Sequence, residues 1–439
     1  MHNQGDVCVE SVCVHEVAPA SVGDEVVATR AAVGEGGQSM EWEKATKSGD
    51  NKTYAIPQRW LHVHYYEALN ILFRVENSLR VFVFAVLKNT LFDQWANINI
   101  STEDSDGQKT ISVVAKRRAN QAKGFGYLGY QVACPIMYLT GGELSRLITS
   151  DEYWKHFAGY FKGSKEIIRT KLDEISHIRN ALAHFRPISE DDVEVIRQNA
   201  KQSLAGVEPY LKGMVVAGDI VPTNTEGQWY KDLDAVEIVC AQHDVTFVRR
   251  QSAGEKWIHL ELTFPATIFS MAKRGSTRYG SPSRLKTSAI LESFPEIAKY
   301  VTHLSEEGGR FRTSRNIDSD VTISKECTFV FFADTLEKNA KSIAGNLVKL
   351  VELVAEETAL VGGDNLARGT LVSTASIHGT FNEEKSSWTF NAQTLACPVG
   401  EEDSPEYWGN LDLAFVDFIA GAKRYPWMSA DISEPGWDF

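Results

Sequence analysis

The sequence predicts an α+β chain, an all-α bundle over residues 58–212 followed by a mixed α/β module over residues 213–439. Two stretches carry the first half of that prediction. Residues 65–89, YYEALNILFRVENSLRVFVFAVLKN, set apolar side chains three and four apart over many turns. Ile168, Leu172, Ile175, Ile178, Leu182 and Phe185 repeat the same spacing, which lines one face of a helix. The third observation is a change of period. Beyond residue 211, short β-branched or alternating runs bounded by turn residues read as strands.

At 439 residues the chain has room for two or three cores. Apolar residues make up 43% and charged residues 23%, the balance of an ordinary globular protein. No apolar run reaches the roughly eighteen residues of a membrane span, and no basic segment followed by an apolar one opens the chain. Neither a membrane partner nor a secretion leader is therefore expected. The six cysteines are scattered without a CxxC pair, which reads as reduced thiols of a cytoplasmic protein. Cys8, Cys13 and His15 lie close together but in a tail, so no metal site and no cofactor is expected. The net charge of −13 argues against a protein that coats nucleic acid. Residues 61–186 nevertheless hold sixteen Lys and Arg against twelve Asp and Glu, the local basic balance that transient RNA contact needs.

Residues 1–57 lack a sustained period and read as a flexible tail, within which Met40 of MEWEK is an alternative start. The long helix opens with Trp60, Leu61, Tyr65 and Leu69. On it Glu76 and Arg80 stand four apart, either as a local ion pair or with the glutamate turned inward onto a catalytic arginine. His62 and His64 read as surface or packing residues. Residues 105–109 read as a loop, and Lys116, Arg117, Arg118 and Lys123 as a basic run. The glycines of residues 124–130 lack the strand-then-helix setting of a nucleotide loop. Residues 139–148 read as a short helix capped by Thr140.

Residues 171–186, KLDEISHIRNALAHFR, organise the bundle. Ser164 is the expected N-cap and Pro187 the expected stop. At about 100° per residue, Asp173, His177, Asn180 and His184 fall in a stripe nearly opposite the apolar face, with Arg179 on its flank. Such a face is most often a solvated surface. The sharper reading is chemical. An imidazole takes and gives protons near neutrality, and a guanidinium grips a phosphate with two parallel hydrogen bonds. Together they suffice to remove the proton of a ribose 2′-OH and to stabilise the charge that builds on the attacked phosphate.

The segment Arg179-Asn180-Ala181-Leu182-Ala183-His184 resembles the HEPN motif, an arginine with a polar neighbour and then a histidine after four intervening residues. The setting is similar too: a preceding helix, Pro187, and a next helix from Ser189 with Asp192 placed for a capping box. The stretch 65–89 resembles the first helix of that family's bundle, and the resemblance covers residues 58–212, about a third of the chain. It implies a metal-independent endoribonuclease of a defence or toxin system, active as a homodimer through the Arg179–His184 helix face. Arg179 and His184 would be the catalytic pair and Asn180 an orienting residue. In toxins paired with a nucleotidyltransferase antitoxin, a tyrosine two positions after the histidine is modified. Arg186 stands there in this chain, so that control is not expected, and Arg186 adds charge beside the site.

In the second half, residues 236–239, 245–248 and 257–264 read as strands, 293–304 as a helix, 328–332 as a buried strand and 335–358 as an amphipathic helix. Residues 369–381 and 387–395 read as a hairpin and 411–419 as a further element, while Trp427 and Trp437 read as tail anchors. KRGSTRYGSPSRLK, residues 273–286, has five basic residues and no acidic one. It reads as a mobile solvated loop, or else as one that guides RNA or binds an effector phosphate. Expected RNA contacts are thus Lys116, Arg117, Arg118, Arg186, Lys273 and Arg274, and the module from 213 onward is expected to select substrate or to bind a trigger or inhibitor. Two other readings fit the same residues: a catalytically inactive HEPN-like scaffold acting through dimerisation or RNA binding, and a sensor whose second half gates the first.

Overall fold

Residues 64–100, 109–125, 134–216, 220–266, 268–274, 276–312, 322–364, 366–385 and 387–390 are described by the computed structural model, with short pieces at 46–47, 54–55, 404, 406–407, 422–424 and 434–435. The chain divides into Met1–Pro57 and Gln58–Phe439. Among the described residues of the first unit, β1 (Thr46–Lys47) pairs with β2 (Tyr54–Ala55). The expectations for the rest of the tail, for Trp60, Leu61 and His62, for the loop at 105–108, for residues 126–130 and 411–419, and for Trp427 and Trp437 lie outside the described residues.

The second unit mixes helix and sheet, and α1 (Tyr65–Leu91) is its axis. Ala68, Leu72, Val75 and Leu79 form a buried stripe, and from residue 81 to 87 every side chain is buried. A helix that is apolar all round has to be enclosed. The enclosing helices are α2 (Ile111–Phe125), α3 (Gly141–Ile148), α4 (Trp154–Phe157), α5 (Lys165–Ala183), α6 (Glu190–Leu204) and α7 (Val207–Val215). Phe82 meets the rings of Phe157, Tyr160, Phe161 and Tyr210 at centroid distances of 5.2 to 5.9 Å, tilted or edge-on as ring quadrupoles prefer. The starts of α3, α5 and α6 are fixed as the sequence predicts. Thr140 and Ser189 each close a capping box, with Glu143 and Asp192, and the Ser164 hydroxyl accepts the Ile167 N–H at 3.5 Å.

The second half is built on an antiparallel sheet with strand order β3 (Thr246–Gln251), β4 (Trp257–Ala266), β8 (Thr322–Phe332) and β7 (His303–Arg312). Alternation decides its faces. Ile258, Leu260, Leu262, Phe329 and Phe331 turn toward α9 (Asp234–Gln242) and α12 (Ala333–Gly363) and form the second apolar cluster with Leu233, Val236, Leu347 and Val351. Trp257 and Val330 turn the other way, into the cluster around α1. A smaller antiparallel sheet runs β11 (Ser387–Phe390), β10 (Ile377–Asn382), β6 (Thr277–Leu285) and β5 (Ile268–Arg274), with β9 (Val372–Thr374) also on β6.

Three sequence expectations are corrected here. Residues 236–239 are helical, because Leu233, Val236 and Cys240 share one buried face at helical spacing while Ile238 is exposed; amphipathic packing overrides the β-propensity of Val and Ile. Residues 273–286 form most of the β5–β6 hairpin rather than a mobile loop, since β6 gains partners in β5, β9 and β10. The helix expected over 293–304 is two short ones divided at Pro295, α10 (Ser288–Ser293) and α11 (Pro295–Tyr300), and β7 has begun by His303. Of the hairpin expected from 369–381 with 387–395, β10 and β11 are paired, Val372–Thr374 pairs with β6 instead, and 391–395 lies outside the described residues.

The two clusters are joined by buried polar groups. The Trp257 indole donates to the Tyr210 carbonyl at 2.9 Å, Asn89 donates to the Tyr210 hydroxyl at 3.0 Å, and Thr302 donates to Asn89 at 2.6 Å. Lys88, fully enclosed, donates to the Ala298 carbonyl at 2.7 Å and pairs with Glu406 at 3.0 Å. Burial lowers the Lys88 pKa and Glu406 opposes that shift. Removing either partner would leave an uncompensated charge inside, which is strongly destabilising.

His259 on β4 and His303 on β7 both stand opposite Val330 of β8, one on each side, and both are buried. The His259 Nε2–H donates to the Gly213 carbonyl at 2.9 Å. Burial, with Arg250 adding to it at His259 and His259 at His303, pulls both imidazoles from the usual 6.5 down to about 4. Above pH 6.5 neither the folded nor the unfolded chain protonates them. As pH falls from 6.5 to 4 the unfolded chain takes up protons that the folded chain does not, so stability is lost over that window. By pH 5 the loss should be on the order of 2 kcal/mol per histidine. Urea unfolding at pH 7 and pH 5 measures it, and His259→Gln, which keeps a donor for Gly213, should remove about half of the pH dependence. An unchanged urea midpoint at pH 5 would contradict the buried neutral pair.

Candidate functional site

The wall of the site starts with a cap. Glu143, third residue of α3, accepts the Thr140 N–H at 2.8 Å and the Arg118 guanidinium at 2.7 and 2.8 Å on its two oxygens. Burial disfavours its charge, yet Arg118 and Thr140 together hold its carboxyl below the usual range. Arg118 also donates to the Tyr138 carbonyl. Its guanidinium is thus occupied in tying α2 to the start of α3, which fixes where Thr140 and Gly141 lie.

Between α1, α3 and α5 opens a cleft of about 300 Å³. Its floor is apolar, made by Leu72, Val75, Leu79, Leu172 and Ile175, and its rim is polar, with Glu76, Thr140, Arg146, Ser176, Arg179 and Asn180. Two threads hold α5 at the cleft. Arg169 donates to the Thr149 carbonyl at 2.8 Å, and Asn199 of α6 donates to Glu174 at 2.6 Å. Asp173, which the helical stripe places beside His177, accepts from Ser145 of α3 at 3.3 Å.

Glu76 is the hinge of the rim. The local ion pair is present, with Arg80 one turn along α1, and the other Glu76 oxygen lies 3.7 Å from Arg179 Nε. Arg80 is further fixed by the Leu139 carbonyl at 2.9 and 3.0 Å and by Asn77 at 2.7 Å. The Glu76 and Arg80 side chains are mostly enclosed, at 17% and 16% exposed, whereas Arg179 is 43% exposed. A carboxylate held from behind by one arginine therefore faces a second arginine that still reaches solvent.

His184 lies one turn beyond Asn180, but α5 ends sooner than Pro187 would require. Ala183 is its last residue and His184 its C-cap. The Arg186 N–H bonds the Ala181 carbonyl and the Phe185 N–H bonds the Leu182 carbonyl, both at 2.9 Å, the 6→1 and 5→2 pair of a Schellman motif. The residue at its left-handed position is Phe185, with φ 53°, where glycine is usual. The left-handed conformation costs an L-residue roughly 1–2 kcal/mol.

The structure thus brings Arg179 and Asn180 to one cleft. His184 is exposed at the helix end and, among the described residues, is not part of the cleft wall; Arg186 is exposed beyond it. Lys116 and Arg117 are exposed on α2. Lys273 and Arg274 lie on β5, in register with Arg278 and Thr277 of β6. Arg146 on the rim escaped sequence reading, although its place six residues after the Thr140 cap puts it on the polar side of a strongly amphipathic helix. Among the described residues, no helix is long and apolar enough to cross a membrane, and no group of three or more His, Cys, Asp or Glu is placed to hold a metal ion.

Compared with known family models, curated proteins and solved structures, the chain matches none of them.

The rim geometry makes a measurable distinction. Glu76 with Arg80 is enclosed and directly bonded, so a double-mutant cycle of Glu76→Ala and Arg80→Ala should give a coupling of about 1–3 kcal/mol. Glu76 with Arg179 is longer and half-exposed, and the same cycle should give under about 1 kcal/mol. A larger coupling to Arg179 than to Arg80 would mean that the rim is held differently.

Proposed function

We propose that the chain is a metal-independent endoribonuclease of the HEPN type, with Arg179 and His184 as its reacting pair and Asn180 as an orienting amide. The observation that carries this reading is Arg179, a guanidinium backed by Glu76 and half-open to solvent at the rim of a cleft that Asn180 shares. An arginine with a carboxylate near its Nε and the rest of its fork open to solvent can take a phosphate with two parallel hydrogen bonds. The chemistry that fits is transesterification. His184 accepts the proton of a ribose 2′-OH, the O2′–P bond forms, and the bond from phosphorus to the 5′-oxygen breaks as that oxygen takes up a proton. Arg179 stabilises the charge on the equatorial oxygens. The products are a 2′,3′-cyclic phosphate and a 5′-OH end.

One copy offers one motif histidine, whereas the reaction uses a base and an acid. A second copy placed about a two-fold axis along the exposed stripe of His177, Asn180 and His184 doubles the set and closes the cleft to water. A homodimer through this face is therefore part of the reading, as is a cytoplasmic toxin or antiviral role in which the segment after residue 212 binds a trigger or an inhibitor. The position of His184 outside the cleft wall favours, as a second reading, a HEPN-like scaffold that binds RNA or a second copy without cutting.

Cleavage should persist in EDTA, and Arg179→Ala and His184→Ala should each reduce it by ~10²–10⁴-fold, the usual loss on removing a general base or a charge-stabilising group. Phosphate-end analysis of the products measures both points. Cleavage abolished by EDTA, or retained in His184→Ala, would contradict the mechanism. His177→Glu, an exposed change on the same stripe, should weaken the dimer and cleavage together in light scattering and rate measurements. A monomer with full activity would remove the two-fold arrangement and leave the catalytic pair to be judged alone.

A further inference from the structure

Beside the catalytic pair, the end of α5 and the start of α1 form a patch of rings. Phe185 is 72% exposed and Tyr66 75% exposed. Between them Tyr65 lies nearly parallel to Phe185, at 6.2 Å between centroids and 11°, and edge-on to Tyr66 at 5.8 Å. Single exposed apolar residues are common and need no explanation. Here three rings are assembled, and one of them sits in a backbone conformation that a bulky residue rarely adopts. Strain retained at an exposed position points to use rather than to packing.

Resting on the ribonuclease reading, we infer that Phe185, Tyr65 and Tyr66 are a stacking platform for an unpaired base, so that the substrate of this site is single-stranded RNA. Every base has a π-face, and exposed rings beside a cation are how sequence-tolerant single-strand sites are built. The charges around the patch favour a base over a duplex backbone. His184 and Arg186 flank Phe185 and are exposed, but Glu190 and Asp191 follow within a few residues and are exposed as well. Arg197 nearby is already paired with Glu67 and Glu194. A polyanion in general would meet mixed charge here, whereas a flipped-out base meets rings with the exposed Arg186 beside them. Taken apart from the neighbouring stripe proposed for the dimer, the rings also offer too little area to hold a second copy by themselves. Taking ~200 Å² per ring side chain, Tyr66 and Phe185 offer roughly 300 Å² per copy, against the ~1,200–2,000 Å² in total that a stable interface buries.

The test uses the full chain and a 2′-O-methylated RNA of about ten nucleotides, within the usual span of a stacking site. This probe cannot form the attacking 2′-oxygen. Phe185→Asn suits the left-handed backbone and Tyr66→Ala is a surface change, so both variants should fold with a melting temperature at or above that of the wild type or close to it. Fluorescence anisotropy should show the single strand binding more tightly than its duplex, with each substitution weakening the single strand by ~5–100-fold. On unmodified RNA, KM should rise while kcat changes little. Unchanged single-strand affinity in both variants overturns the platform. So does a shift from dimer to monomer in light scattering that accounts for the loss, since the rings would then be an interface between copies. Patch-dependent binding without any cleavage would sink the nuclease reading and keep the platform, and cleavage with unaltered KM in both variants would do the reverse.

Discussion

Seven consecutive side chains of α1, residues 81–87, are buried on every side, and the rest of the second unit follows from that constraint. No single neighbouring helix can cover such a segment: Phe157 of α4 and Tyr210 of α7 both meet Phe82, and Trp257 of the large sheet packs on Tyr210 in turn. The same turns carry Lys88 and Asn89 into contact with Ala298, Glu406 and Thr302, which ties the sheet to the bundle. Toward its other end α1 has only a stripe to bury, and there Glu76 faces outward onto the cleft. The position of Glu76 is therefore inherited from the most enclosed element of the chain. A carboxylate on so fixed a helix gives the half-exposed Arg179 a weak partner in a defined place.

Much of the fold was legible because local signals and packing agreed. The long period in 65–89 became α1, the Thr140, Ser164 and Ser189 caps opened the helices they were expected to open, and 257–264 and 328–332 became paired strands. The misreadings have a common physical source. Residues 236–239 look β-like until Leu233 and Cys240 are seen to share their face, and residues 273–286 look like a loop until β9 and β10 arrive from almost a hundred residues away to pair with β6. Long-range pairing leaves no mark on a local window. The same holds for the enclosure of Lys88, whose partner Glu406 is over three hundred residues distant.

The candidate site was legible in its residues and less so in its arrangement. Arg179 and Asn180 were readable from the motif and do line one cleft, and the Glu76 alternative was visible as a spacing on α1. Arg146 was not, because it joins the rim only through the packing of α3. Nor could the spacing show that Arg118 is spent on Glu143, or that the helix closes at Ala183 with Phe185 in a left-handed turn. That turn carries His184 and the Phe185 ring to the surface at the same corner.

The central claim is that the 2′-oxygen of RNA is the nucleophile and that His184 takes its proton. The most direct measurement uses a single-stranded deoxyoligonucleotide carrying one ribonucleotide. Cleavage should occur only on the 3′ side of that ribose, leave a 2′,3′-cyclic phosphate, and vanish in His184→Ala. Cuts at deoxy positions, or the same cut in His184→Ala, would contradict it.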